Sequence, residues 1–98
     1  MANRWGIPEW LEDEVRHRDL VCIYCQRPFS SQPPGAGASW EHIINDASIV
    51  TRDNIALCCR GCNASKGQKT LADWLKGPYC RTKGITEDTL SPVAKRAL

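Results

Sequence analysis

The sequence predicts a small α+β domain organised around a metal site of four cysteines. With 98 residues, the chain has room for one hydrophobic core and not two. Two Cys-x-x-Cys pairs lie far apart, with strand-like segments between them and helical patterns on either side. We expect a single domain over residues 1–98, made of an N-terminal helical brace (1–19), a zinc-stapled core (20–67) and a C-terminal helical flank (68–98).

Composition and charge argue against a membrane protein and leave a nucleic-acid partner open. No apolar run approaches the length of a membrane span, and the first residues lack an apolar signal core, so we expect a cytoplasmic protein. Residues 1–51 hold four Lys/Arg against seven Asp/Glu, a balance of −3, and residues 52–98 hold nine against four, a balance of +5. The C-terminal half could face phosphate, although four thiolates on Zn²⁺ would leave the cluster at about −2, which cancels the formal net charge of +2.

A helix is predicted over residues 8–18. Pro8 suits the first turn of a helix, acidic residues follow it, and basic residues occupy the last turn, as the helix dipole favours. Its narrow apolar stripe consists of Trp10, Leu11 and Val15. We expect this helix to pack on the core as a brace.

The segment between the cysteine pairs is predicted to be a loop, a hairpin and the start of a helix. Residues 30–38 are rich in Pro, Gly and Ser and indicate a loop. Residues 39–44 have the pattern of a strand, and residues 49–51 could form a short return strand after a turn. Thr51 or Asp53 could then cap a helix over residues 54–58.

The C-terminal flank is predicted to be helical in short pieces. Residues 63–66 form one or two turns that end at Gly67. Thr70 caps a second short helix that stops at residues 77–78, a Gly-Pro pair. Residues 79–98 are weakly patterned, with a possible helix from Thr86 to Leu90 or beyond.

The two Cys-x-x-Cys pairs predict a structural zinc site. Cytosolic thiols stay reduced, and paired knuckles present four sulfurs tetrahedrally. Free thiols or an iron site remain alternatives. The predicted ligands are Cys22, Cys25, Cys59 and Cys62, whereas Cys58 and Cys80 are expected to behave as small core residues.

The two histidines have different expected roles. His17 lies in a charged helical run and is expected at the surface. His42 follows Glu41 in an apolar strand between the knuckles, which fits either a catalytic base or a histidine satisfied by a backbone carbonyl. Spacing alone leaves these two alternatives open.

The ordered motifs of residues 20–67 resemble those of the HNH endonucleases, whose ββα-metal (His-Me finger) module is stapled by zinc. They are Cys-x-x-Cys, then Glu-His-Ile-Ile, then Asp-Asn-Ile-Ala-Leu, then Cys-Arg-Gly-Cys-Asn-Ala-Ser-Lys-Gly. Small bacterial and phage-encoded members, some of them nicking enzymes, are the most similar group. The resemblance implies a cytoplasmic, bacterial or phage-encoded DNA endonuclease.

The resemblance implies a role for each matching residue. His42 matches the general base that activates water, and Glu41 matches a carboxylate, usually Asp, that binds a catalytic Mg²⁺ or Mn²⁺. Asn54 matches the asparagine that holds the hairpin loop, and Asn63 matches the second ligand of the catalytic ion. Adjacent strand residues point to opposite faces, so Glu41 and His42 can serve one phosphate only near a twisted edge or a strand end.

The implied reaction is a one-metal hydrolysis of double-stranded DNA. A monomer has one active site and would nick one strand, with no membrane partner. The residues expected to contact DNA phosphate are Lys66, Arg60, Arg52 and Lys69. The rival interpretations are a non-catalytic zinc module that binds nucleic acid and, more distantly, a zinc-stabilised protein-interaction domain.

Overall fold

The computed structural model describes residues 5–98, which fold as a small α+β unit; residues 1–4 of the predicted brace lie outside the described part. The strands are β1 (Ala38–His42) and β2 (Ile55–Cys59). The helices are α1 (Glu9–Arg18), α2 (Arg60–Lys66), α3 (Leu71–Leu75), α4 (Pro78–Lys83) and α5 (Pro92–Lys95). Within residues 5–98, no helix combines the length and apolar character that a membrane crossing requires.

The two strands form an antiparallel sheet that is covered on both faces. The register runs from Ala38 opposite Cys59 to His42 opposite Ile55. One face packs against α1, where Leu11 and Val15 are buried. The other face packs against the first knuckle and the C-terminal helices. Because both faces are covered, every residue of β2 is buried.

The helix predicted over residues 54–58 is wrong, and so is the return strand predicted at residues 49–51. The strand that pairs with β1 is β2, and residues 51–54 form the turn that leads into it. The run Ile-Ala-Leu-Cys-Cys is apolar at every position because both sides of the strand are buried. Such a run lacks the alternation that distinguishes a strand from a helix.

The helix predictions hold where terminal signals are present. The 8–18 helix appears as α1, with Pro8 at its N-cap. Thr70 caps α3 by accepting a hydrogen bond from the Asp73 amide at 3.1 Å. Gly67, at φ 51°, ends α2, in a conformation that glycine adopts without strain. Helices α4 and α5 lie in the segment whose pattern was too weak to predict them.

Candidate zinc centre and acidic site

The four predicted zinc ligands converge at one point. The sulfur atoms of Cys22, Cys25, Cys59 and Cys62 all lie within 4.8 Å of one another. The Cys25 and Cys59 sulfurs are 3.8 Å apart, which is the edge of a tetrahedron with Zn–S bonds of about 2.3 Å. The cluster therefore fits a tetrahedral zinc ion, and the choice of Cys59 over Cys58 as a ligand agrees with the geometry.

Local backbone geometry prepares each knuckle. In the first, the Gln26 amide donates to the Cys22 carbonyl at 3.0 Å, and Gln26 itself has a φ of 63°. In the second, Cys59 is the N-cap of α2, and its sulfur accepts from the Cys62 amide at 3.4 Å. Amide donors at a helix start favour a thiolate, so the β2–α2 junction is suited to hold a metal ligand.

Hydrogen bonds and burial shift the pKa values of three of the four cysteines. A hydrogen bond from Cys62 lowers the pKa of Cys22 to about 5, and the same bond raises the pKa of Cys62. Burial raises the pKa of Cys25 to about 11. Of Cys22, Cys25 and Cys62, only Cys22 has a lowered pKa without a cation, whereas a divalent ion favours the thiolate form of metal-bound cysteines.

Two side chains that were not predicted from the sequence to be near the zinc ligands contact their sulfurs. The Tyr79 hydroxyl donates to the Cys62 sulfur at 3.9 Å, and a hydrogen bond with Cys59 raises the pKa of Arg27. Both can approach because one of the two residues between Cys59 and Cys62 is Gly61. A Cβ there would lie 3.1 Å from the Tyr79 oxygen and 3.2 Å from an Arg27 nitrogen.

The remaining cysteines are core residues, as predicted. Cys58 and Cys80 are both buried in the cluster that contains the zinc centre. Burial raises the pKa of Cys58 well above its ordinary value, which keeps it a neutral thiol next to Ser39.

Glu41 points into the protein and is already paired. It is only 6% exposed. Its Oε2 accepts a hydrogen bond from the Tyr24 hydroxyl at 2.7 Å and lies 3.4 Å from the Lys66 Nζ. Burial, followed by the charge of Glu41, raises the pKa of Tyr24, so the phenol remains a donor. Both of these contacts use the same carboxylate oxygen.

Asn63 lies on α2 beside the same strand. Its amide nitrogen donates to the Ser39 hydroxyl and to the Trp40 carbonyl, each at 3.0 Å. These two bonds use both amide hydrogens and anchor the side chain to β1 next to Glu41. The side-chain carbonyl oxygen of Asn63 remains as a group that could bind a cation.

Asn54 closes the loop between the two strands. It is buried, and its Oδ1 accepts from the Ile44 amide at 2.7 Å. Its amide nitrogen donates to the carbonyls of Ile44 and Ile49 at 3.2 and 3.1 Å. These bonds are of the kind that the resemblance implies for this position, and they fix the segment that follows His42.

His42 is not among the residues that contact the Glu41 carboxylate. It is the last residue of β1 and leaves the strand on the face opposite Glu41. Its ring meets the indole of Trp5 edge to face, with the centroids 5.6 Å apart. Its Nε2 is shielded from solvent and has no hydrogen-bond partner among residues 5–98. The two adjacent side chains therefore have different surroundings, which are Tyr24 and Lys66 for Glu41 and Trp5 for His42.

The predicted phosphate-binding residues have different surroundings. Arg60 and Lys69 are exposed. Arg52 is exposed as well, but it forms a two-bond ion pair with Glu14 at 2.8 and 3.0 Å. Lys66 departs from expectation, because it is 1% exposed and its ammonium donates to the Ile43 carbonyl at 2.9 Å. In this position Lys66 faces Glu41 and not solvent.

No family model and no solved structure matches this chain. The CRISPR-associated endonuclease Cas9 of Corynebacterium diphtheriae is 31% identical to it over 81 residues. That stretch is 80% of this chain but 7% of the Cas9 chain, so the present chain spans only a small part of that protein. The chain is thus similar, in part and at a distance, to a protein named as an endonuclease, and its four-cysteine cluster fits a zinc-stapled nuclease module.

Proposed function

We propose that this chain is an HNH-type endonuclease that hydrolyses phosphodiester bonds of double-stranded DNA and, as a monomer, nicks one strand. Three features support the proposal: the ordered motifs of residues 20–67, the partial similarity to a named endonuclease, and the oxygen atoms of Glu41 on β1 and Asn63 on α2. The zinc cluster is a scaffold in this proposal, because four thiolates leave zinc no open position.

The observation that carries the proposal is that Glu41 lies on β1 and that Asn63 of α2 is hydrogen-bonded to the same strand at Ser39 and Trp40. Asn63 donates both of its amide hydrogens to acceptors on β1. The contacts of Glu41 with Tyr24 and Lys66 use only its Oε2. One carboxylate oxygen and one amide oxygen are left, and these hard donors suit Mg²⁺ or Mn²⁺. When bound, such an ion supplies positive charge beside the scissile phosphate.

His42 is the proposed general base, which takes the proton from the attacking water. Because it leaves β1 on the face opposite Glu41, the phosphate must straddle the end of the strand. The indole of Trp5 must also turn aside, since Nε2 is shielded from solvent beside it. Asn54 holds the loop after His42 and so keeps the end of the strand fixed.

Exposed cations are the proposed DNA contacts. Arg60 and Lys69 are free of side-chain ion pairs with described carboxylates, whereas Arg52 would have to exchange Glu14 for phosphate. Lys66 would reach a phosphate only after leaving Glu41. Contacts of this kind position DNA without reading its sequence and weaken as salt increases.

Nicking of supercoiled plasmid tests the proposal. With Mg²⁺ or Mn²⁺, the zinc-loaded protein should convert supercoiled plasmid to open circles. Replacing a general base typically costs about 10²–10⁴-fold in rate, so His42→Ala should be slowed by that order. His17→Ala is the matched control, because His17 is exposed on α1 and should leave the rate unchanged.

Zinc content and circular dichroism are measured on His42→Ala to check that the variant retains the fold. Equal nicking by His42→Ala and the wild type would contradict the assignment of the base. A shift of DNA on a gel, with no open circles under any divalent ion, would contradict the enzyme itself.

A non-catalytic zinc module that binds nucleic acid is the second candidate. It is favoured by the internal pairing of Glu41 with Lys66 and Tyr24, which needs no added ion. In that case Glu41 and His42 only support the fold, and the gel-shift outcome is the expected one.

A further inference from the structure

Tyr24 lies between the two metal sites. It belongs to the first knuckle, directly before Cys25, and its hydroxyl donates to Glu41 at 2.7 Å. Its side chain is fully buried. A single residue therefore connects the zinc cluster to the carboxylate proposed to bind the catalytic ion.

Tyr24 is held from both its backbone and its ring. Its carbonyl accepts a hydrogen bond from the Thr89 hydroxyl at 2.8 Å. Its ring meets Trp74 edge to face at 5.0 Å, and the Trp74 indole nitrogen donates to Ser65 at 3.0 Å. Since Ser65 lies on α2, the ring is fixed against the helix that also carries Asn63 and Lys66.

We propose that Tyr24 is a positioning residue for Glu41, which ties the rotamer of the carboxylate to the zinc knuckle and turns Oε1 towards the carbonyl oxygen of Asn63. Lys66 acts on the same oxygen as Tyr24, at 3.4 Å, and so reinforces this orientation. Glu41 is then a ligand through one oxygen only. This inference rests on the proposed function, because it concerns the same catalytic ion.

The pairing also accounts for glutamate at a position where the resembling family usually has aspartate. A glutamate side chain has one more rotatable bond than aspartate, and an unrestrained carboxylate would sample several rotamers. A hydrogen bond from a buried phenol removes that freedom. Outer partners of this kind orient metal ligands, and their loss typically weakens metal affinity about 10–100-fold.

The two tyrosines of the chain provide a matched pair of variants. Tyr24→Phe removes the hydroxyl at Glu41, and Tyr79→Phe removes the hydroxyl at the Cys62 sulfur. The affinity of the zinc-loaded protein for Mn²⁺ is measured by electron paramagnetic resonance, with Glu41→Gln as the reference for a lost ligand. Zinc retention is measured separately by challenge with a chelator.

Tyr24→Phe should weaken Mn²⁺ binding about tenfold or more while retaining zinc, and Tyr79→Phe should bind Mn²⁺ as the wild type does. Equal Mn²⁺ affinity in Tyr24→Phe and the wild type, with Glu41→Gln impaired, would overturn the role of Tyr24 and leave the proposed function standing. Equal, negligible binding in the wild type and Glu41→Gln would overturn both.

A measurement on the wild type covers the case in which Tyr24→Phe fails to fold. In a titration followed by nuclear magnetic resonance, Mn²⁺ bound at Glu41 should broaden the ring signals of Tyr24 at a lower Mn²⁺ concentration than the ring signals of Tyr79. Broadening of Tyr79 first, or of neither ring, would overturn the inference.

Discussion

The imidazole of His42 ends β1 with one nitrogen shielded from solvent and the indole of Trp5 against its ring. A buried ring nitrogen without a partner costs free energy, and a functional role is one explanation for retaining it. The role proposed for His42 is such an explanation, since the nitrogen of a general base must be free to receive a proton. In the proposed function, the contact with Trp5 controls how easily water reaches this nitrogen.

Replacing Trp5 with Ala should raise the rate at which diethyl pyrocarbonate modifies His42. The smaller side chain uncovers Nε2, and mass spectrometry reports the modification of each histidine separately. His17 is exposed and serves as the internal reference, whose rate should not change. If His42 of the wild type reacts as fast as His17, the shielding does not exist in solution.

The sequence predicted which cysteines converge and which asparagine holds the loop between the strands, but it did not predict the side chains that contact Glu41. The four cysteines and Asn54 were predictable because each occupies a fixed place in an ordered motif. Tyr24 had no such signal, since an aromatic residue inside a knuckle is most simply a core residue. Lys66 was misplaced because a lysine is usually exposed, and its burial is explained by two partners that the sequence did not reveal, the Ile43 carbonyl and the Glu41 carboxylate.

At the scale of elements, the four-cysteine cluster and the proposed site of the catalytic ion both depend on the junction between β2 and α2. Cys59 ends the strand and caps the helix, Cys62 lies in the first turn of the helix, and Asn63 follows it. The sequence placed the helix start three residues too late, and it mistook β2 for a helix. Burial on both faces removed the period-2 pattern that would have identified the strand.

Serine substitutions at the adjacent Cys58 and Cys59 should have opposite effects on zinc. Cys59→Ser removes a ligand, so zinc content should fall well below about one ion per chain. Cys58→Ser changes a buried thiol that is not one of the four converging sulfurs, and zinc content should be unchanged. Zinc is measured by elemental analysis after dialysis, and loss of zinc from Cys58→Ser alone would reverse the assignment.

At the scale of the whole molecule, a two-stranded sheet is stabilised by two different means on its two faces. One face is closed by the cluster that contains the four zinc ligands. The other is closed by α1, which contributes Leu11 and Val15 to a smaller apolar cluster. A sheet of two strands is marginal alone, so the covering helix contributes substantially to stability.

Leu11→Ala should lower the free energy of unfolding by about 2–5 kcal/mol, because it leaves a cavity between α1 and the sheet. Leu20→Ala is the matched control, since Leu20 is 73% exposed and Leu11 is 0% exposed. The control should stay within about 0.5 kcal/mol of the wild type. Urea unfolding with zinc present measures both, and equal losses would show that α1 does not pack as described.

The sulfurs of Cys22 and Cys62 lie within 4.8 Å of each other, although forty positions separate them in the chain. The polypeptide thus enters and leaves the stretch that contains Glu41, His42 and Asn54 at nearly the same point. A segment whose ends meet can be inserted into a surface loop of a host protein without forcing the host apart. The nearness of these ends allows the stretch to be joined to the rest of the chain at one place, while its two faces are covered by α1 and the C-terminal helices.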